Sequence, residues 1–136
     1  MNYKYEVSGT DFTAAGYASS EIKKILKSLG LPIQTIKRTS IAMYEAEINM
    51  VVHGGGGVAN VDITDNEIII VMEDTGPGIP DIEKAMEEGY STASEKVREL
   101  GFGAGMGLPN IKRNSDFMNI ESQVGVGTKV TIKILI

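Results

Sequence analysis

The run Ile68-Ile-Ile-Val-Met72 constrains the fold of this chain more than any other segment. An unbroken apolar run, mostly β-branched, predicts a central strand with both faces covered. Residues 58–63 and 67–73 predict two strands joined by a polar turn, and residues 3–8 predict a short first strand. Residues 117–124 and 128–136 alternate between apolar and polar and predict a closing hairpin. The strands therefore predict one sheet.

Helical patterns lie between these strands. Residues 14–29 predict a helix capped by Thr10 or Asp11 and ended by Gly30, and residues 33–53 predict a second. Residues 80–88 predict a short helix, residues 108–115 predict another, and residues 89–107 read as a long connection. The fold class predicted is α+β, with helices on one face of the sheet.

Composition narrows the classes of partner. The chain of 136 residues suits one domain, and its net charge of −5 comes without a dense Lys/Arg cluster. That balance argues against nucleic acid or a membrane surface as the main partner and favours a small ligand or a protein. There is no cysteine, and His53 is the single histidine, which we interpret as structural. Without a signal-like start, we expect a cytoplasmic protein.

Two polar residues interrupt the apolar side of the second predicted helix. At about 100° per residue, Glu45 falls in the stripe formed by Ile41, Ile48 and Val52, and Asn49 lies beside it. A carboxylate there is costly unless it is paired, bound to a metal or open to a cavity. Asn49 suits Mg²⁺ and Glu45 suits proton transfer. The alternative is a solvated helix edge with an i,i+4 hydrogen bond.

Asp74-Thr-Gly-Pro-Gly78 directly follows the apolar strand. An ionised carboxylate only accepts hydrogen bonds, so Asp74 suits an amino group such as that of adenine. Gly76 and Gly78 allow the backbone to approach a flat ring. Ordinary turn chemistry is the alternative.

A glycine-rich loop precedes the last predicted helix, with Gly101, Gly103, Gly105 and Gly107 alternating along it. Backbone amides in such a loop form a cradle for phosphates, although a flexible linker has the same composition. Lys96 and Arg98 precede the loop and are either partners of a terminal phosphate or solvated charges.

In this order the motifs resemble those of the GHKL (Bergerat-fold) ATPases. Glu45-x-x-x-Asn49 is similar to the N box, and Asp74-x-Gly76-x-Gly78 is similar to the first glycine box. Gly103-Ala-Gly105-Met-Gly107 resembles the second glycine box, and Gly127-Thr128 resembles the late pair that supports the adenine-binding Asp. The resemblance implies one histidine-kinase-like ATPase domain over residues 1–136. Its fold would be a two-layer α/β sandwich with a mixed, mostly antiparallel sheet, about three helices on one face and a flexible ATP lid.

Within that family, two segments of the chain resemble the stand-alone anti-sigma and stressosome switch kinases most closely: Gly89-Tyr-Ser-Thr92 and Gly105-Met-Gly-Leu-Pro-Asn-Ile-Lys-Arg113. This resemblance implies an ATP-dependent serine/threonine protein kinase that uses ATP and Mg²⁺ and phosphorylates a STAS-domain antagonist. Glu45 would be the catalytic base and Asn49 the Mg²⁺ ligand. The ATP-binding residues implied are Asn49, Asp74, Gly76, Gly78, Arg98, Gly103, Gly105, Gly107 and Thr128.

The same resemblance leaves several partners open. A sigma factor and a PP2C-type phosphatase are further candidates, and residues 3–29 are a candidate surface for a homodimer. The rival hypothesis is a nucleotide-dependent binding module that sequesters a sigma factor or activates a phosphatase without phosphotransfer.

Overall fold

The computed structural model describes residues 1–53, 55–87 and 107–136. Its strands are β1 (Asn2–Ser8), β2 (Gly56–Ile63), β3 (Glu67–Asp74), β4 (Phe117–Gln123) and β5 (Gly127–Leu135). They form one sheet in the order β1-β2-β3-β5-β4, and the pairings of these five strands are all antiparallel. The α+β class is confirmed. The predicted sheet was mixed and mostly antiparallel, whereas the described strands pair only in antiparallel fashion.

The helices among the described residues are α1 (Tyr17–Ser28), α2 (Ile33–Val52), α3 (Ile82–Ala85) and α4 (Gly107–Arg113). α2 is the central helix, because it lies over the sheet and contacts both α1 and α4. The long connection predicted at residues 89–107, and with it the flexible lid, lies outside the described residues except for Gly107.

The core forms where α2 packs on one face of the sheet. Strand register aligns the buried side chains: Ile70 of β3 lies opposite Val61 of β2 and Ile132 of β5, and all three are fully buried. Ile69 and Val71 point to the other face and are only half-buried. The central position of β3 is confirmed, whereas the prediction that both of its faces are covered is wrong, because burial is concentrated on the face beneath α2.

The start of α1 differs from the prediction. Asp11 caps a separate 3₁₀ turn (Phe12–Ala14), and α1 begins after Gly16, whose φ of 94° breaks the helical path. No side chain in this segment caps α1. The buried carboxylate of Glu47 in α2 does so instead, accepting from the backbone N–H groups of Gly16 at 2.9 Å, Ala18 at 3.1 Å and Ser19 at 2.9 Å.

None of the helices in the described segments is both long and apolar enough to cross a bilayer.

Candidate nucleotide-binding site

Asp74 lies at the end of β3, directly opposite Thr128 of β5. Its Oδ1 accepts hydrogen bonds from the backbone N–H of Gly76 at 2.9 Å and from that of Thr128 at 3.2 Å. These two contacts orient the carboxylate from two segments of backbone. Oδ2 accepts no hydrogen bond from any residue that the structure describes, so one acceptor oxygen is available to a ligand.

The Thr128 hydroxyl is held by a residue that sequence reasoning missed. Its Oγ1 lies 2.8 Å from Ser122 Oγ of β4, and either hydroxyl can be the donor. Ser122 Oγ also accepts from Ile79 N at 2.7 Å, and it lies 3.2 Å from Gly127 O, which is the alternative acceptor for its single hydrogen. Ser122 and Thr128 are direct cross-strand partners. Assigning the register of the predicted hairpin would have revealed the pair.

Gly78 and Gly127 bring the turn after β3 against the β4–β5 hairpin. Gly78 has φ +80°, and a β-carbon there would lie 2.5 Å from the carbonyl oxygen of Gln123. A β-carbon on Gly127 would lie 2.2 Å from the carbonyl oxygen of Asp74. Both distances are too short for any side chain, so glycine is required for packing at both positions. The approach of Gly78 to a ligand remains a prediction.

Glu45 and Asn49 lie half-buried on the flank of α2 that faces α4. Glu45 Oε1 accepts from Asn110 Nδ2 at 3.3 Å. A β-carbon added to Gly107 would lie 3.0 Å from Asn49 Oδ1, so the first residue of α4 abuts the Asn49 side chain. The two α2 residues thus contact α4, and within the described residues no hydrogen bond joins Glu45 to Asn49.

The stripe predicted for α2 is not its core-facing side. Ile41 and Val52 are only half-buried, whereas Met43, Ala46 and Met50 are at most 3% exposed. The stripe that contains Glu45 is the flank toward α4. Glu45 therefore lies beside the core rather than over it, at a partly exposed edge.

The sheet end and the core-facing side of α2 meet at Gly57 of β2. A β-carbon at Gly57 would lie 3.0 Å from the Asp74 Cα and 2.7 Å from the terminal methyl of Met50, the neighbour of Asn49. The structure thus brings the C-terminal half of α2 against the end of β3. This places the predicted first glycine box and the N box at one edge of the fold.

Other predicted residues fall elsewhere. Arg98, Gly103 and Gly105 lie outside the described residues, as does Lys96. His53 lies half-buried just after α2, its backbone N–H donates to Asn49 O at 2.9 Å, and burial lowers its pKa below 6.5. In the described segments no group of three or more His, Cys, Asp or Glu side chains could hold a metal.

Comparison with known proteins decides the family. The sequence profile of the histidine kinase-, DNA gyrase B-, and HSP90-like ATPases matches residues 35–136. The chain belongs to this family. It therefore has the nucleotide-binding ATPase domain that the resemblance implied.

Two curated relatives place the chain more closely. It is 34% identical over 112 residues to the serine/threonine-protein kinase RsbT of Bacillus subtilis, covering 79% of this chain and 78% of RsbT. It is 32% identical over 122 residues to the anti-sigma F factor of Clostridium acetobutylicum, covering 86% of this chain and 82% of that factor. The predicted resemblance to the stand-alone switch and anti-sigma kinases is confirmed.

Solved structures support the fold. A chain of the SiaB–SiaC complex of Pseudomonas aeruginosa superposes with a TM-score of 0.65 at 8% identity, covering 97% of this chain and 88% of that one. The mycobacterial sensor histidine kinase MprB superposes with a TM-score of 0.55 at 15% identity, over 99% of this chain and 97% of that one.

Proposed function

We propose that the protein is an ATP-dependent serine/threonine kinase that acts as an anti-sigma or switch regulator and phosphorylates a STAS-domain antagonist protein. One observation carries the proposal. Glu45 and Asn49 lie one helical turn apart on the same flank of α2, and Met50, the neighbour of Asn49, packs at the sheet end that holds Asp74. The homology to RsbT and to anti-sigma F factors supports the choice of a protein as phosphoacceptor.

Asp74 and Thr128 are proposed to select adenine. The backbone N–H groups of Gly76 and Thr128 fix Oδ1 of Asp74, so Oδ2 is the acceptor for the exocyclic amino group. The Thr128 hydroxyl can donate to a ligand when the single hydrogen of the Ser122 hydroxyl is directed to Thr128 Oγ1 instead of to the carbonyl oxygen of Gly127. A ring that carries an acceptor atom next to an amino group, as adenine does, fits this pair: the amino group would donate to Asp74, and the ring atom would accept from Thr128. Gly76 and Gly78 are proposed to let the ring approach the backbone.

Asn49 is proposed to hold Mg²⁺. The side-chain amide of Asn49 makes no hydrogen bond to any described residue. Its oxygen is a neutral, hard ligand of the kind that Mg²⁺ binds together with water and phosphate oxygens. Bound Mg²⁺ would supply charge neutralisation for the phosphates. We assign phosphate binding to Gly103, Gly105 and Gly107, with Arg98 as a further cationic partner.

Glu45 is proposed to act on the phosphoacceptor. It accepts the proton of the serine or threonine hydroxyl, while that oxygen attacks the γ-phosphorus and ADP leaves. One oxygen of Glu45 bonds to Asn110, and within the described residues the other accepts no hydrogen bond. A carboxylate with one oxygen held and one available is suited to this transfer.

The test uses the purified chain, labelled ATP and a STAS-domain protein encoded by a neighbouring gene. We expect Glu45→Gln to lower the phosphorylation rate by roughly 10²- to 10⁴-fold. ATP binding should survive, because Glu45 is not an adenine contact. Asp74→Asn should weaken binding of a fluorescent ATP analogue by about tenfold to a hundredfold, since it replaces an acceptor with a donor.

Glu6→Gln, an exposed position on β1, is the matched control and should leave both rate and binding unchanged. Equal labelling by wild type and Glu45→Gln would disprove the assigned base. Nucleotide-dependent complex formation without any transfer would instead support the binding module that sequesters a sigma factor or activates a PP2C-type phosphatase.

A further inference from the structure

Asn110 of α4 makes the one side-chain hydrogen bond to Glu45 that occurs within the described parts of the chain. Its Nδ2 donates to Glu45 Oε1 at 3.3 Å, and both side chains are half-buried. Asn110 lies within the segment 105–113 that resembles the switch kinases, but the sequence assigned it no role. Its position three residues after Gly107 places it on the same face of α4 as that glycine.

The direction of the Asn110 amide is determined by Arg113. Arg113 Nη1 donates to Asn110 Oδ1 at 3.1 Å. A guanidinium can only donate, so the group facing it must be the amide oxygen. The amide nitrogen then faces Glu45. The three side chains form a directed chain in which Arg113 donates to Asn110, and Asn110 donates to Glu45.

α4 is held against α2 at three levels, which limits how far Asn110 can move. Gly107 abuts Asn49 near the end of α2, and Asn110 meets Glu45 one turn earlier. Beyond the end of α4, the carboxylate of Asp116 accepts two hydrogen bonds from the Arg38 guanidinium, at 3.2 and 3.3 Å. α4 therefore runs antiparallel to α2, with Asn110 opposite Glu45.

We propose that Asn110 is a positioning residue for Glu45, an inference that rests on the proposed role of Glu45 as catalytic base. By holding Oε1, Asn110 turns Oε2 toward the hydroxyl of the phosphoacceptor. A neutral donor suits this role, because a cation in direct contact would stabilise the ionised carboxylate and weaken it as a base. Arg113 acts at the other end of the amide, where it orients the oxygen.

The experiment measures phosphorylation of the STAS-domain protein by wild type, Asn110→Leu, Glu45→Gln and the double variant. Asn110→Leu keeps a similar volume and removes the donor. We expect kcat to fall about tenfold or more, because an unheld carboxylate samples unproductive orientations. The KM for ATP and the affinity for a fluorescent ATP analogue should stay as in wild type. In single-turnover assays, Asn110→Leu should have no further effect in the Glu45→Gln background.

Asn114→Ala, directly after the last residue of α4, is the matched control. Asn114 Nδ2 donates to the Asn110 carbonyl oxygen at 2.8 Å, so its removal weakens α4 and leaves the bond to Glu45 in place. We expect its kcat to stay within about twofold of wild type, since this hydrogen bond stabilises only the end of the helix. A kcat that tracks Tm in both variants would overturn the inference, as would an unchanged kcat in Asn110→Leu.

The four proteins also separate the two proposals. If Glu45→Gln retains the wild-type rate, the proposed base is wrong. If Glu45→Gln is inactive while Asn110→Leu is normal, only the positioning role is wrong. If both variants lose activity but their effects multiply in the double variant, Asn110 acts through a group other than Glu45, and the inference is overturned.

Discussion

The two flanks of α2 hold their carboxylates in opposite ways. On the flank toward α1, Glu47 is 2% exposed and accepts three backbone N–H groups at 2.9 to 3.1 Å. On the flank toward α4, Glu45 is half-buried, and from the described residues it accepts one side-chain hydrogen bond, at 3.3 Å. Although only one residue separates them in sequence, the first carboxylate is fully engaged by backbone, whereas one oxygen of the second accepts no hydrogen bond from the part of the chain that the structure describes.

This difference suggests a structural role for the Glu47 carboxylate and a chemical role for that of Glu45. A buried carboxylate is tolerated when fixed donors replace its hydration, and it then acts as a clamp between elements. A carboxylate held by a single donor at the edge of the core can exchange a proton with a ligand. The two flanks should therefore respond oppositely to substitution: one in stability, the other in activity.

The sharpest test of that contrast is Glu47→Ala. It leaves the backbone N–H groups at the start of α1 without their acceptor, and we expect a loss of about 3–5 kcal/mol in the free energy of unfolding. Urea denaturation at neutral pH gives the value. Glu45→Ala, the matched control, should stay within about 1 kcal/mol of wild type, because its carboxylate is partly solvated. Equal losses in the two variants would remove the distinction between the flanks.

A smaller effect is expected at the far end of the α4 flank. Arg38 and Asp116 form an exposed ion pair at 3.2 Å, and Asp116 also accepts from Leu135 N at 2.7 Å. We expect Arg38→Met to cost about 0.5 kcal/mol and Asp116→Ala about 1 kcal/mol, since only the second also removes the acceptor for the Leu135 N–H. A double-mutant cycle in urea denaturation isolates the pair. A coupling well above 1 kcal/mol would mean that this flank is held as firmly as the other.

Much of the fold could be predicted from local sequence. The strands and the long helix are visible because alternation and helical periodicity are local properties, and their bounds agree with the structure to within about three residues. The pairings β1–β2 and β3–β5 were not predicted. They join segments far apart in the chain, and neither has a turn between its strands to reveal it.

The candidate site could be predicted only in part. Glu45, Asn49, Asp74 and Thr128 stood out because the family motifs give them roles, whereas Asn110 lies in a family-like segment without an assigned role. The Ile41–Ile48–Val52 stripe was mistaken for the core face because α2 is packed by α1, the sheet and α4. A helix buried on three sides has apolar residues around most of its circumference, so periodicity does not reveal which sector meets the sheet.

The smallest expected effect concerns His53, which follows α2 at the point where both flanks end. Burial lowers its pKa in the folded protein below the ordinary 6.5. Between the folded and unfolded pKa values the unfolded chain binds more protons, so the free energy of unfolding falls as pH drops through that window. Above about pH 6.5 both states are neutral at this group and its contribution vanishes.

His53→Gln isolates this effect, because His53 is the only histidine and carboxylates titrate alike in both proteins. Urea denaturation of wild type and variant between about pH 7.5 and about pH 5 gives the free energy of unfolding as a function of pH. The two curves should be parallel at high pH, and on acidification wild type should lose more stability than the variant. Parallel curves would mean that His53 is solvated at the end of α2. A loss of ATP-analogue affinity over the same window, absent in His53→Gln, would show that its protonation also reaches Asn49, whose carbonyl accepts the His53 backbone N–H.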